Sequence, residues 1–406
     1  MKQDIVVLFI PTANSGTAYY RMWTWNLAAF RNRAFYAKCP FYESRRAETN
    51  DWEVNVSDPM YYGRIMAELD DAVRKADIIV IQMLHTIGSL NIFYSIKEAF
   101  PDKVVLAEID DDILNTPEHN QASPFYKPGT PHREIALQQF KNSDGMIVST
   151  PYLKELYSEF NKNIYIVENS LDFSLWNRVR NKKRKGQIRI GWIGGGGHDE
   201  DLRLVAPAVH NITKKYPDVR FVFVNGVPEF LKGLKNVEFE IGYEFINKYH
   251  YFFGSFGLDI GLAPLVDNSF TRGKSNLRWL EYSALKIPCV ASNVGHYAQT
   301  LRDGEDVLFA NNPEHFEQQI EVLIKDRSFR NALGHKAHTR AVRDFNVDVN
   351  IFNYEKTLRQ AIELGPQVKL EIKEYEPQAN VKIEEDNQIE EDDRIIDDDQ
   401  IIEANA

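Results

Sequence analysis

The sequence predicts an α/β protein built as two similar halves, each a mostly parallel sheet covered by helices. Three observations predict it. Apolar runs such as Ile5–Ile10 and the run at 78–81 are continuous rather than alternating, the mark of strands buried on both faces of a parallel sheet. These runs alternate with helix-length segments, the βαβ pattern. The pattern also starts twice, because each half opens with an apolar run leading into a glycine-bearing turn, first at Gly16 and again at Gly194–Gly197. A chain of 406 residues has ample material for two such cores.

Composition narrows the function. The chain is 43% hydrophobic and 26% charged, as globular proteins are. Its formal net charge of -11 is concentrated at one end: Pro366–Ala406 has 4 Lys+Arg against 14 Asp+Glu, which leaves the rest of the chain near -1. A near-neutral body argues against a protein that wraps a nucleic-acid backbone. Cys39 and Cys289 are the two cysteines and fall in different halves, so neither a disulfide framework nor a cysteine metal site is expected. The opening apolar run is short and ends at Pro11, so it reads as a first strand rather than a leader or membrane span. No other run approaches spanning length, and a cytoplasmic protein is expected.

The first half, residues 1–176, reads as six strand-helix units. Strand Ile5–Ile10 passes through the turn PTANSGT into an aromatic-rich helix, which makes Gly16, Thr17 and Arg21 candidates for a ligand site. The turn lacks a full GxGxxG, so a plain tight turn with Arg21 on the surface is the competing reading. A short strand is expected at Trp52–Val56 and a helix at Gly63–Lys75. The next strand ends in His85, at the edge where open α/β sheets bind ligands. After a helix (Leu90–Ala99), the following strand ends in Asp110, Asp111 and Asp112. Those carboxylates can bind a metal, accept from an acceptor hydroxyl or cap the next turn. A Pro-rich loop (Ser123–Pro131), a helix, the strand DGMIVST, a helix (Tyr152–Phe160) and NIYIVENSLD complete the half. Right-handed crossovers then give a Rossmann-like domain.

A cation-rich linker, Asn177–Gln187, has no periodicity and reads as an exposed hinge. The second half, 188–345, begins with IRIGWI and the glycines Gly194, Gly195, Gly196 and Gly197, which let backbone N–H groups approach a ligand. Asp199 is a candidate cap for a helix over Leu202–Lys215. Strands VRFVFVN, VEFEIGY and LDIGLAPL follow, then the stretch FTRGKSNLRWLEYSALKIPCVAS from Phe270. A helix beginning near Ser275 puts Lys274, Arg278 and Glu281 at i, i+4 and i+7, with Leu277, Leu280 and Ala284 on a packing face. Seven residues of helix rise about 10 Å, the span from a ribose to a diphosphate. Cations and a helix N-terminus suit the diphosphate, and a carboxylate suits the ribose diol. An ordinary surface helix with an Arg278–Glu281 pair is the alternative. A helix from Pro313 to Lys325, another ending at Arg343 and a last amphipathic helix (347–364) end the folded part.

The run Leu258–Asp326 resembles the donor half of the retaining, GT4-like glycosyltransferases (glycosyl transferases group 1) in the order and spacing of its strand, loop, carboxylate helix and CVAS strand. With weaker echoes over residues 4–345, the resemblance implies a GT-B architecture: two Rossmann-like domains facing a central cleft. It implies transfer of a sugar from a UDP- or GDP-linked donor to a glycan, lipid-linked or protein acceptor, with retention and with no cofactor required. Glu281 then holds the ribose, Gly16 and Thr17 approach the phosphates, and Gly194–Gly197 open the donor half. His85, Asp110 and Asp111 lie on the catalytic side. Two departures stand out. The family's first glutamate falls on Gly273, and the usual Arg and Lys pair early in the donor half is absent. Arg272 and Lys274, with Ser275, Asn276 and Arg278 beside them, supply the charge and polar groups; Asp267, Asn268 or Asn276 is left to meet the sugar. The rival functions on this fold are a DNA-modifying glycosyltransferase and a non-catalytic nucleotide- or glycan-binding scaffold.

Residues 366–406 form a separate acidic segment whose last part falls into sixes (IEEDNQ, IEEDDR, IIDDDQ, IIEANA). A period of six fits neither helix nor strand, so disorder is expected, with docking on a protein partner or on the basic linker as the sharper alternative.

Overall fold

Two six-stranded sheets organise the computed structural model, which describes residues 4–12, 15–39, 69–195, 197–225, 229–241 and 248–368. Met1–Leu370 form one compact unit. The acidic repeats, and the expected strand at Trp52–Val56, lie outside the described residues. The first sheet contains β1 (Val6–Ile10), β2 (Tyr36–Lys38), β3 (Ile78–Gln82), β4 (Val104–Ile109), β5 (Gly145–Val148) and β6 (Ile164–Ile166), ordered β2-β1-β3-β4-β5-β6. The second contains β7 (Ile188–Ile193), β8 (Val219–Val224), β9 (Val237–Glu240), β10 (Ile260–Ala263), β11 (Cys289–Ser292) and β12 (Leu308–Ala310), ordered β12-β11-β10-β7-β8-β9.

All these pairings are parallel. The reason is visible in the sequence: β3 and β4 are buried along their whole lengths, so neither face calls for polar residues. The strand beside β1 is β2, a three-residue edge with Tyr36 and Lys38 exposed. So short and polar a strand carries almost no apolar signal, which is why sequence reasoning passed over it. Each sheet reverses its winding once, between β1 and β3 and between β7 and β10. At such a switch point the connections leave on opposite faces and a crevice opens beyond the strands' C-terminal ends.

One helical run serves both cores. Residues 16–32 form a short helix (Gly16–Ala18), a π-helical turn (Tyr19–Trp23) and a helix (Thr24–Asn32). Four consecutive residues of the π turn, Tyr19 to Met22, are buried. A helix lying on one sheet would bury only a stripe. Here Met22 and Trp25 pack in the first half's core, while Tyr19 and Tyr20 join the cluster of Trp279, Leu280 and Tyr282 in the second.

The last helix, Val347–Leu364, returns to the first half. Val347, Ile351, Tyr354, Leu358 and Ala361 line its buried face against Phe9, Trp25 and Phe35. Backbone bonds Leu171 N–H to Phe345 O (2.8 Å) and Val347 N–H to Leu171 O (3.0 Å) tie the two crossings of the chain together. The linker side chains are largely exposed, but its backbone is seated: Lys182 N–H donates to Gly254 O and Asn181 Nδ2 to Leu258 O.

The helix expected over Leu202–Lys215 is two helices, Asp199–Arg203 and Ala206–Lys215. Pro207 in the first turn of the second cannot continue the ladder of the first. Asp199, expected as a cap, is the first helical residue, and His198 holds the cap position.

Candidate functional site

The candidate site is built around the helix Leu277–Ala284, which is locked to the second sheet's switch point. Tyr282 Oη donates to both Gly191 O (3.0 Å) and Leu262 O (3.1 Å), bridging β7 and β10, and Trp279 Nε1 donates to Asp306 O (2.8 Å). Those two anchors fix the face that carries Arg278 and Glu281. The helix starts two residues later than expected, so Lys274 precedes it, in the turn after the short helix Ser269–Arg272. Lys274 therefore does not share a helical face with Arg278 and Glu281.

Glu281 is buried, and burial pushes its carboxyl above the usual range, with Arg278, Tyr20 and Tyr249 pulling the other way. Tyr20 Oη, from the first half, donates to Oε1 at 2.8 Å. Arg278 Nη1 lies 3.7 Å from Oε2, and Tyr249 interacts electrostatically with both residues. The Arg278 guanidinium also stacks over Trp192, 5.2 Å from the ring centroid. Gly194 makes room for that stack, because a methyl there would stand 2.3 Å from the Trp192 ring and 2.9 Å from Arg278 Nη2. Gly195 is exposed, and Gly197 has φ +85°, the left-handed region that glycine alone enters freely. A methyl on Gly197 would meet Asn120 of the first half at 3.1 Å, so the glycine loop and that half are in close approach. Gly196 lies outside the described residues.

Three further contacts join the halves at the facing strand ends. Lys274 Nζ donates to Asp111 Oδ1 (2.7 Å), Asn169 Nδ2 to Ser275 Oγ (2.7 Å), and Thr150 Oγ1 to Gly273 O (3.4 Å). Gly16 and Thr17 sit at the first sheet's switch point, in a helical turn capped by Ser15 Oγ from Ala18 N–H (3.3 Å).

Arg21 is a correction. Sequence reasoning placed it among donor ligands or on the surface, but it is 1% exposed inside the first half. Its Nε donates to Glu108 Oε1 (2.6 Å) and its Nη1 to Val167 O (2.7 Å) and Asn169 Oδ1 (2.9 Å), which commits those N–H groups within the first half. Arg272 is exposed and forked onto Asp267, at 2.7 and 3.2 Å.

The three aspartates after β4 have separate roles. Asp112 accepts from Leu114 N–H, Asn115 N–H and Asn115 Nδ2, which is the turn-capping alternative. Asp111 is the partner of Lys274. Asp110 is pushed up to about 7 by burial and by Asp111 and Glu108, against the pull of Arg21 and Lys274. Among the described residues no group of three His, Cys, Asp or Glu side chains is placed to hold a metal ion. His85 follows β3, with Nδ1 3.2 Å from Tyr126 Oη, and its imidazole is lowered to about 4 by burial and by His132. At neutral pH it is therefore a neutral hydrogen-bonding group.

Sequence reasoning missed Tyr20, Tyr249, Trp192 and Asn169. Tyr20 lies one residue from a singled-out arginine, but only the π turn aims it into the other half. Asn169 belongs to the VENSLD segment, whose position before the linker was the available signal.

Two Rossmann-like domains with opposed C-terminal strand edges and switch-point crevices are the GT-B fold. Within it, residues 237–354 match the family model described as glycosyl transferase-like. Solved structures share the fold at low identity. Anabaena HepE in complex with UDP and glucose aligns with TM-score 0.58 and 13% identity, over 88% of this chain and 100% of HepE. Sucrose-phosphate synthase from Thermosynechococcus elongatus aligns with TM-score 0.57 and 12% identity over 89% and 100%. A glycosyltransferase from Rickettsia africae aligns with TM-score 0.56 and 12% identity over 89% and 99%. No curated protein sequence matches the chain. Among the described residues, no helix is long and apolar enough to cross a membrane.

Proposed function

We propose that this chain transfers a sugar from a UDP- or GDP-linked donor to a hydroxyl on a glycan, lipid-linked or protein acceptor, with retention at the anomeric carbon. The observation that carries the reading is the helix Leu277–Ala284 at the β7/β10 switch point, with Lys274 before its N-terminus and Glu281 along it. The glycosyl transferase-like match over 237–354 includes all of these residues.

The chemistry follows from charge. Breaking the sugar–phosphate bond leaves negative charge on the diphosphate and positive charge on the anomeric carbon. Lys274 and the unsatisfied N–H groups of the helix's first turn stabilise the leaving diphosphate, and this charge is why we expect no added metal to be needed. Glu281 accepts from the ribose hydroxyls, replacing the bond it now accepts from Tyr20 Oη. The halves close over the donor and limit its hydrolysis by water. Retention rests on the GT4-like resemblance.

Nucleoside diphosphate release from a panel of UDP- and GDP-sugars, with and without EDTA, tests the reading. Release from at least one donor, unaffected by EDTA, is expected, and NMR of the product then gives the anomeric configuration. Gly273, where the resemblance has a glutamate, favours one second reading, a nucleotide-binding scaffold without turnover. Tight binding of a nucleotide sugar with no release in the presence of any acceptor selects it.

A further inference from the structure

Asn276 carries two hydrogen-bonding groups where neither reaches solvent. It is 0% exposed, and neither Oδ1 nor Nδ2 has a hydrogen-bond partner among the described residues. It holds the N-cap position of the helix Leu277–Ala284, a position at which asparagine is among the preferred caps, yet its side chain makes no capping bond. The amide that would ordinarily satisfy one of the first-turn N–H groups is thus unused beside them. A buried amide without partners is costly to a fold.

Its neighbours are otherwise engaged. Asp267 is forked by Arg272, and Asn268 and Thr271 form a reciprocal capping box. Lys274 is paired with Asp111, and Ser275 accepts from Asn169. Of the three side chains left open by the sequence to meet the sugar, Asp267 and Asn268 have partners and Asn276 has none. Gly273 faces the first half closely: a methyl there would stand 3.1 Å from Leu153 Cδ2 and 3.4 Å from Asp112 Cβ.

We propose that Asn276 is the residue that reads the transferred sugar, its Nδ2–H donating to a diphosphate oxygen and its Oδ1 accepting from a sugar hydroxyl. The inference rests on the donor-site reading above and deepens it. It follows from matching donors to acceptors. An ionised diphosphate only accepts hydrogen bonds, so a nucleoside diphosphate can satisfy Nδ2 and leaves Oδ1 unpaired. The sugar of a nucleotide sugar brings hydroxyl donors and satisfies both groups. The preference for nucleotide sugar over nucleoside diphosphate therefore resides in Asn276 Oδ1, while Lys274 and Glu281 bind the two ligands alike.

Calorimetric titration of the full chain with UDP, UDP-glucose, UDP-N-acetylglucosamine, GDP and GDP-mannose tests this, using wild type, Asn276→Leu and Asn276→Asp. For the donor that wild type prefers to its own diphosphate, Asn276→Leu removes the Nδ2–H bond from both ligands and the Oδ1 bond from the sugar alone, so nucleotide-sugar affinity is expected to fall about tenfold or more beyond any fall in diphosphate affinity, which erases the preference. Asn276→Asp keeps an acceptor but brings charge toward the phosphates, so it weakens both ligands. An unchanged preference in Asn276→Leu overturns the inference and leaves the donor site standing. If the leucine variant melts early, Asn276→Ala, which also removes both polar groups, gives the same ratio test. Wild type that binds none of the five ligands overturns the donor-site reading itself, and this inference with it.

Discussion

Lys274 Nζ lies 2.7 Å from Asp111 Oδ1, so the cation on the second half's loop is held by a carboxylate at a strand end of the first. The pair is partly exposed, with side-chain exposures of 24% and 47%, so its own contribution to stability is small, about 0–1 kcal/mol. Its larger consequence is competition: Asp111 occupies the charge that a diphosphate needs.

The two partners should respond in opposite directions. Lys274→Ala is expected to weaken UDP or GDP binding about tenfold or more, since a charge-assisted bond is worth about 1.5–3 kcal/mol. Asp111→Asn removes the competitor and should leave diphosphate binding unchanged or tighter. Equal losses in both, measured by titration calorimetry, would mean that the pair is structural only.

Glu281 and Tyr20 invite the same comparison. Glu281→Gln removes the carboxylate and should weaken nucleotide binding about tenfold or more. Tyr20→Phe keeps the ring in its cluster with Tyr19 and removes only the hydroxyl that donates to Glu281. Nucleotide affinity should then hold or rise, by up to about tenfold. A Tyr20→Phe variant that loses binding as severely as Glu281→Gln would falsify the exchange of Tyr20 for a ribose hydroxyl.

Asp110 gives a pH signature. Its folded-state value, about 7, lies above its ordinary 3.8 because burial and the neighbouring carboxylates favour the neutral form. Folding therefore favours the protonated acid. The stabilisation is complete below 3.8, declines as pH rises and is gone above about 7. Asp110→Asn lacks this dependence, so its Tm should gain on wild type between pH 4 and 7, with the difference level at higher pH. Parallel melting curves across that range would show that the carboxyl titrates normally.

Arg21 and Glu108 form a pair with side-chain exposures of 1% and 0%. Removing one member strands the other, and such changes cost about 3–5 kcal/mol. Arg21→Met should show that loss in urea unfolding at pH 8. Near pH 5 the loss should shrink, because burial already raises the Glu108 carboxyl and a lone Glu108 then takes up a proton. A penalty independent of pH would point to lost packing rather than a stranded charge.

The sequence by itself determined the two-fold α/β plan, because strands buried on both faces must be continuously apolar and β3, β4 and β7 are short enough to be read that way. It also placed Lys274 and Glu281 together in the second half, at a strand's C-terminal edge, because they follow the strand LDIGLAPL in one loop and helix. Only the tertiary structure decided what those residues touch. Arg21 turns inward because Glu108 lies across from it, 87 residues away. Lys274 leaves its expected helical face for Asp111, 163 residues away, and Glu281 receives Tyr20 from 261 residues away. No local pattern encodes such distances. Periodicity reports which face of an element is buried, whereas the partner of a charge or an amide depends on how the two halves meet, and on the π turn that points Tyr20 across the gap.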